Sequence, residues 1–173
     1  MSQVDLKEFI RDIPDFPQAG ILFRDISPML ENAEAFQAAL SRFHELLKDE
    51  KIDKIVGIES RGFIFGAPLA ERLGVGFAMA RKQGKLPGDK ISICYDLEYG
   101  TNTIEMHSDS ITQGERVFII DDVLATGGTA NAAISLVEQL GGVISGLAFL
   151  IELTFLDGRK HLPGRAVYNL LEY

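Results

Sequence analysis

The sequence predicts an α/β fold, with a mainly parallel twisted sheet flanked by helices. Three observations carry this expectation. Continuous apolar runs such as Val117–Ile120 read as strands buried on both faces. Segments with apolar residues at three- and four-residue spacing alternate with those runs and read as helices. Loops rich in glycine and charge follow the strand ends, where open parallel sheets bind ligands.

The elements follow in order. Val4–Asp12 has the pattern of a short amphipathic helix, and Pro14 and Pro17 then break regular structure. Glu34–Lys48 reads as a helix, because Phe36, Leu40, Phe43 and Leu47 share one face and Asn32 suits its start. Ile52–Ile58 is an apolar strand running into Glu59-Ser60-Arg61-Gly62. Phe63–Leu73 returns to helix, with Gly74 and Gly76 as stop signals, and Gly76–Ala80 is a second short strand. Over Arg81–Gly100 no regular pattern survives, and a connection that long is uncommon in a compact domain unless it has a function. Val117–Ile120 is the strongest strand, followed by Asp121-Asp122, a glycine-rich turn and a helix over about Thr129–Leu140. Gly141-Gly142 ends that helix, and Val143–Leu153 and Ala166–Leu171 are the last strands.

The chain has 173 residues, which suits one domain over 1–173. Its 17 Lys+Arg against 25 Asp+Glu give a net charge of −8. That balance argues against a nucleic-acid partner and against an anionic membrane surface. The single cysteine, Cys94, allows no internal disulfide and no cysteine-built metal site. The N-terminus lacks the apolar core of a signal peptide, and no run is long enough to span a bilayer, so the expected setting is cytoplasmic.

Chemistry concentrates in Val117–Thr129. A phosphate monoester needs several donors converging on its oxygens. A tight turn at a helix N-terminus supplies backbone N–H groups and a favourable dipole. Ala125, Gly127 and Gly128 are small enough to admit the anion, and Thr126 and Thr129 add hydroxyl donors. No Gly-Lys-Ser/Thr follows, so the turn is not a P-loop. Asp121 and Asp122 would repel a phosphate, and a ribose diol is their natural partner.

Ile119–Thr129 resembles the phosphoribosyl-pyrophosphate (PRPP) signature of type I phosphoribosyltransferases. The likeness extends to the adenine-specific family. Pro14–Pro28, PDFPQAGILFRDISP, is similar to that family's base-binding hood, and Glu59–Phe65, ESRGFIF, to its pyrophosphate loop. Arg81–Pro87, RKQGKLP, and Leu97–Gly100, LEYG, resemble its mobile catalytic loop, and Ile151–Arg159, IELTFLDGR, its final core segment.

The resemblance implies the type I phosphoribosyltransferase fold, with residues 1–33 including the hood and 81–100 forming the mobile loop. It implies transfer of the phosphoribosyl group of PRPP to N9 of adenine, giving AMP and pyrophosphate. Mg²⁺ would be carried by PRPP, with no direct side-chain ligation, and the assembly would be a homodimer. Asp121, Asp122, Ala125, Thr126, Gly127, Gly128 and Thr129 would bind the PRPP or AMP ribose phosphate. Ser60, Arg61, Gly62, Lys82 and Lys85 would hold pyrophosphate, Arg61 through its planar fork of donors. A cis Glu59–Ser60 peptide is part of the same implication. Leu22, Phe23, Arg24 and Leu153 would frame adenine, with Phe23 stacked on the base. Arg61, Glu98 and Tyr99 would be catalytic, Glu98 by moving a proton on the base and Tyr99 by fixing the closed loop. His44, His107 and His161 match no position of the family pattern, and no catalytic residue is carried over to Asp89–Asp96.

Two other readings are weaker. The ILFRDISP hood favours adenine over an oxopurine. A PRPP-sensing regulator of transcription on the same fold would carry a DNA-binding domain or a basic face, which this acidic chain lacks.

Overall fold

The computed structural model describes residues 4–96 and 101–173. The chain opens with a one-turn 3-10 helix, Leu6–Phe9, capped by the Asp5 side chain. Strands β1 (Arg11–Pro14) and β2 (Leu22–Asp25) then form an antiparallel hairpin with Ile13 opposite Phe23. The helix expected over Val4–Asp12 is therefore one turn only. Its continuation pairs as a strand, ending at a proline that could not continue a helix.

Helix α1 (Ser27–Glu31) leads into α2 (Ala33–Leu47), whose Asn32 side chain accepts the Ala35 N–H at 3.0 Å, as an N-cap does. Strand β3 (Lys54–Ile58), helix α3 (Arg61–Leu73) and strand β4 (Gly76–Lys82) form a parallel β-α-β unit. Gly74 closes α3 in the left-handed conformation. Strands β5 (Lys90–Asp96) and β6 (Thr101–His107) pair antiparallel along their whole length. Strand β7 (Arg116–Leu124), helix α4 (Gly128–Gln139), and strands β8 (Val143–Glu152) and β9 (Val167–Glu172) complete the fold.

The large sheet has the order β5-β6-β4-β3-β7-β8-β9. Its five strands from β4 to β9 run parallel, and the β5–β6 ribbon joins antiparallel to β4 through Arg81 and Lys82. Side chains alternate across this sheet with a period of two. On β7, Val117 and Ile119 face a core shared with α4, while Phe118 and Ile120 face a core shared with α2 and α3. All four are fully buried, which is why the segment reads as unbroken hydrophobicity.

Part of Arg81–Gly100 is regular, contrary to the sequence expectation. In β5, Ile91, Ile93 and Tyr95 are half-buried while Ser92 and Cys94 are exposed. That alternation is short, and it is obscured by the glycine, proline and lysine residues before it. No described helix is long and apolar enough to cross a membrane.

Candidate functional site

The glycine-rich turn expected to hold a phosphate forms where β7 hands over to α4. Thr126, Gly127, Gly128 and Thr129 line a cavity of about 70 Å³, with Ala125 and Asp121 on its wall. The first amides of α4 have no acceptor within the helix, so they are free to meet an anion. Gly127 has φ +87°, which favours glycine, and a Cβ there would lie 2.5 Å from the Gly158 carbonyl oxygen. Gly158 is equally constrained, because its own Cβ would lie 2.2 Å from the Ala125 carbonyl oxygen. The LDGR segment thus backs the phosphate turn from behind. Arg159 anchors that segment with paired 2.7 Å hydrogen bonds to the buried Glu152 and another of 2.9 Å to the Val167 carbonyl. The pairing raises the Arg159 pKa through the hydrogen bonds to Glu152.

A second cavity of about 370 Å³ adjoins the first, and the two share Asp121 and Thr129. Ser60, Arg61, Lys82 and Asp122 lie along its wall, so most of the residues expected at the pyrophosphate and ribose positions come together. The Glu59–Ser60 peptide is cis. Glu59 accepts two 3.1 Å hydrogen bonds from the Arg81 guanidinium and one of 3.0 Å from the Lys82 amide. Those bonds, led by Arg81, lower the Glu59 pKa and fasten the loop after β3 to the end of β4.

The acidic pair is poorly solvated. Asp122 is only 4% exposed. Burial is the chief cause that raises the pKa of both carboxyls. At Asp121 the charge of Asp122 adds to it, while Arg61 opposes the rise at Asp122. Arg61 Nε lies 2.7 Å from Asp122 Oδ2, yet that oxygen receives no properly directed hydrogen bond. The contact is an ion pair rather than a directed hydrogen bond, and the oxygen has no exposed surface while Arg61 stays in place. Among the described residues, no group of three or more His, Cys, Asp or Glu converges as metal ligands.

Gly62, the second residue of α3, is buried against β7 and does not line the second cavity; a Cβ there would stand 2.6 Å from the Ile120 carbonyl oxygen and 3.1 Å from Asp121 Oδ1. Its smallness lets the helix start sit against β7 and so sets Arg61 beside Asp122. Lys85 is exposed and does not line the second cavity. Its carbonyl accepts a 3.0 Å hydrogen bond from Arg81.

In the hood, Phe23 meets Phe16 edge-to-face at 5.1 Å, and the Arg61 guanidinium lies 5.4 Å from its ring centre. The hood and the loop after β3 therefore meet at Arg61. Leu22 is exposed. The Arg24 side chain is occupied by Asp12 and by the Tyr173 ring, 4.0 Å away. Leu153 is half-buried against the core on the α2–α3 side, and its amide bonds the Leu124 carbonyl at 2.9 Å. Glu98 and Tyr99 lie outside the described residues.

Sequence reasoning did not single out Tyr95 and Asn102, which face each other across the β5–β6 ribbon and line the second cavity. The alternation Ile91, Ile93, Tyr95 was the signal available for the first of them.

Known proteins place this arrangement. Residues 28–161 match the family model for the phosphoribosyl transferase domain. The adenine phosphoribosyltransferase of Carboxydothermus hydrogenoformans is 54% identical over 170 residues, 98% of this chain and 100% of that protein. That of Thermotoga maritima is 54% identical over 173 residues, the whole of both chains. Among solved structures, the adenine phosphoribosyltransferase of Thermoanaerobacter pseudethanolicus superposes with a TM-score of 0.95 at 52% identity, covering 97% of this chain and 98% of that one. The Saccharomyces cerevisiae enzyme, complexed with an imino-altritol bisphosphate and adenine, gives 0.90 at 45% identity, covering 96% of each chain. With a phosphate-sized turn, an acidic pair beside it and full-length likeness to these enzymes, the chain belongs to the adenine phosphoribosyltransferase family.

Proposed function

We propose that the chain transfers the phosphoribosyl group of PRPP to N9 of adenine, giving AMP and pyrophosphate in purine salvage. The observation that carries this reading is the row of sites: a phosphate-sized cavity and a larger one with Arg61 and Lys82 on its wall, joined at Asp121 and Thr129. A ribose 5-phosphate spans such a row, with its diphosphate at the far end.

In this reading the 5-phosphate takes the turn Ala125–Thr129, and the ribose diol takes the Asp121–Asp122 pair. A diol hydroxyl donating to Asp122 Oδ2 competes with Arg61 for that oxygen. Arg61 is then released toward the diphosphate, beside Ser60, Lys82 and Gly62. As N9 bonds to C1, the bond from C1 to the diphosphate breaks, and positive charge builds at C1 while negative charge leaves. Arg61 and Lys82 neutralise the leaving group, which makes positioning and charge stabilisation the main sources of rate. Adenine lies against the Phe23 ring with Leu153 on its other face, and the backbone of Leu22 and Arg24 reads its edge. Glu98 assists proton movement on the base, and Tyr99 fixes the closed ribbon. In this reading the segment 81–100 is the mobile loop, closing over C1 to exclude water while the Tyr95 end of β5 stays packed on the α4 side. Lys85 joins the diphosphate only on that closure.

Mg²⁺ fits through its ligand: the acidic pair is placed for hydroxyls, and the ion would neutralise diphosphate charge while bound to PRPP oxygens. We also propose a homodimer, supported by the exposed apolar side chains of Ile64 and Met79. A cytoplasmic setting accords with the single free cysteine, Cys94. The test is incubation of the protein with PRPP, Mg²⁺ and each of adenine, guanine and hypoxanthine. AMP formation with strong preference for adenine is expected; equal use of guanine would overturn the base assignment.

A further inference from the structure

Thr129 Oγ1 and the Tyr95 hydroxyl share a hydrogen bond of 3.1 Å. This contact ties the phosphate turn to the β5–β6 ribbon, and nothing in the mechanism above uses it. Tyr95 is half-buried, with its ring packed against the core on the α4 side, so its hydroxyl is held rather than swept through solvent. Thr129 is the second residue of α4 and stands on the wall of both cavities.

A threonine hydroxyl has one proton and two lone pairs. It can donate to Tyr95 or to a phosphate oxygen, but not to both. A phosphate in the turn has only acceptor oxygens when fully ionised, so it captures that proton. The Tyr95 hydroxyl has a proton of its own, and it can answer by donating to Thr129 Oγ1. The oxygen-to-oxygen contact then runs from Tyr95 as donor to Thr129 as acceptor. Donation from Tyr95 then polarises the Thr129 hydroxyl toward the anion, because chained hydrogen bonds strengthen one another.

We propose that Tyr95 is a positioning residue for the 5-phosphate, acting through Thr129: with the phosphate bound, its hydroxyl donates to Oγ1 and aims the Thr129 hydroxyl at the anion. The proposal rests on the phosphoribosyl reading of the site. It gives β5 a role in substrate binding that is separate from closure over C1.

Calorimetric titration with ribose 5-phosphate, and separately with pyrophosphate, tests it. Tyr95→Phe keeps the packed ring and is expected to leave the thermal midpoint unchanged. It should weaken ribose 5-phosphate binding about five- to tenfold, the scale of one hydrogen bond, and weaken pyrophosphate binding clearly less. In turnover, the KM for PRPP should rise while kcat moves little. In a Thr129→Val background the Tyr95→Phe change should have no further effect, and in Thr129→Ser, which keeps a hydroxyl, its effect should return. Unchanged ribose 5-phosphate affinity in Tyr95→Phe, or equal losses in the Val and wild-type backgrounds, would overturn the proposal and leave the site assignment standing. Failure of the wild-type protein to bind ribose 5-phosphate would instead overturn the assignment, and the proposal with it.

Discussion

Asp121 and Asp122 are costly residues. Two carboxyls are placed side by side at the end of a buried strand, and desolvation pushes both upward in pKa. A carboxyl whose folded pKa lies above its unfolded value lowers stability as pH rises from the ordinary carboxylate range through the raised value. Asp121→Asn removes that penalty. Its thermal midpoint at neutral pH is expected to rise by about 2–4 °C, the equivalent of about 1 kcal/mol in a chain of this size. The gain should vanish as pH falls below the ordinary carboxylate range, where the wild-type carboxyl is protonated too. The double change Asp121→Asn with Asp122→Asn should meanwhile weaken PRPP binding at least tenfold, since charged acceptors contribute about 1.5–3 kcal/mol each. Scanning calorimetry against pH checks the first expectation, and titration with PRPP checks the second. A site that gives up stability for binding is visible in sequence as a local contradiction, two acids joined to a buried apolar run. The ion pair between Asp122 and Arg61 was not visible, because it depends on α3 starting hard against β7.

The elements around the site act as braces. Gly158 and Arg159 hold the phosphate turn from behind, and Glu59 and Arg81 bind the loop after β3 to β4. Gly158→Ala would drive a methyl group into the Ala125 carbonyl, so the turn must shift. PRPP affinity is expected to fall about tenfold or more with the fold retained, on the scale of a 1–3 kcal/mol overpacking cost; unchanged affinity would show that the turn is not held by this contact. Arg159→Met should destabilise the protein by about 1–3 kcal/mol, because Glu152 is left buried without its charged partner, as denaturant unfolding would register. The elements legible in the sequence were those with strong periodicity, including α2, α3, β7, α4 and β8. The ribbon was not legible. Its strands are half-buried on one face, and their pairing is set by contacts with β4 and α4 that no local pattern encodes. The N-terminal hairpin was misread for a related reason: a few apolar residues at mixed spacing satisfy both a helix and a strand, and the partner strand β2 decides between them.

At the scale of the molecule, the sheet order places the carboxyl ends of β3, β4 and β7 side by side. The loops that follow β3 and β7 therefore meet at Arg61 and Asp122. The hairpin of the hood reaches the same point through Phe23 and Arg61. The residues proposed for base, ribose and the two phosphate positions thus come from segments far apart in the chain, and their convergence is visible only in the fold. In the proposed site AMP lies along this row in one orientation. A crystal structure of the protein with AMP tests this most directly. The 5′-phosphate is expected in the Ala125–Thr129 turn, the ribose diol on Asp121 and Asp122 with Arg61 displaced from Asp122 Oδ2, and adenine against Phe23. A phosphate held by Arg61 and Lys82 with the Ala125–Thr129 turn left to solvent, or a base remote from Phe23, would contradict it.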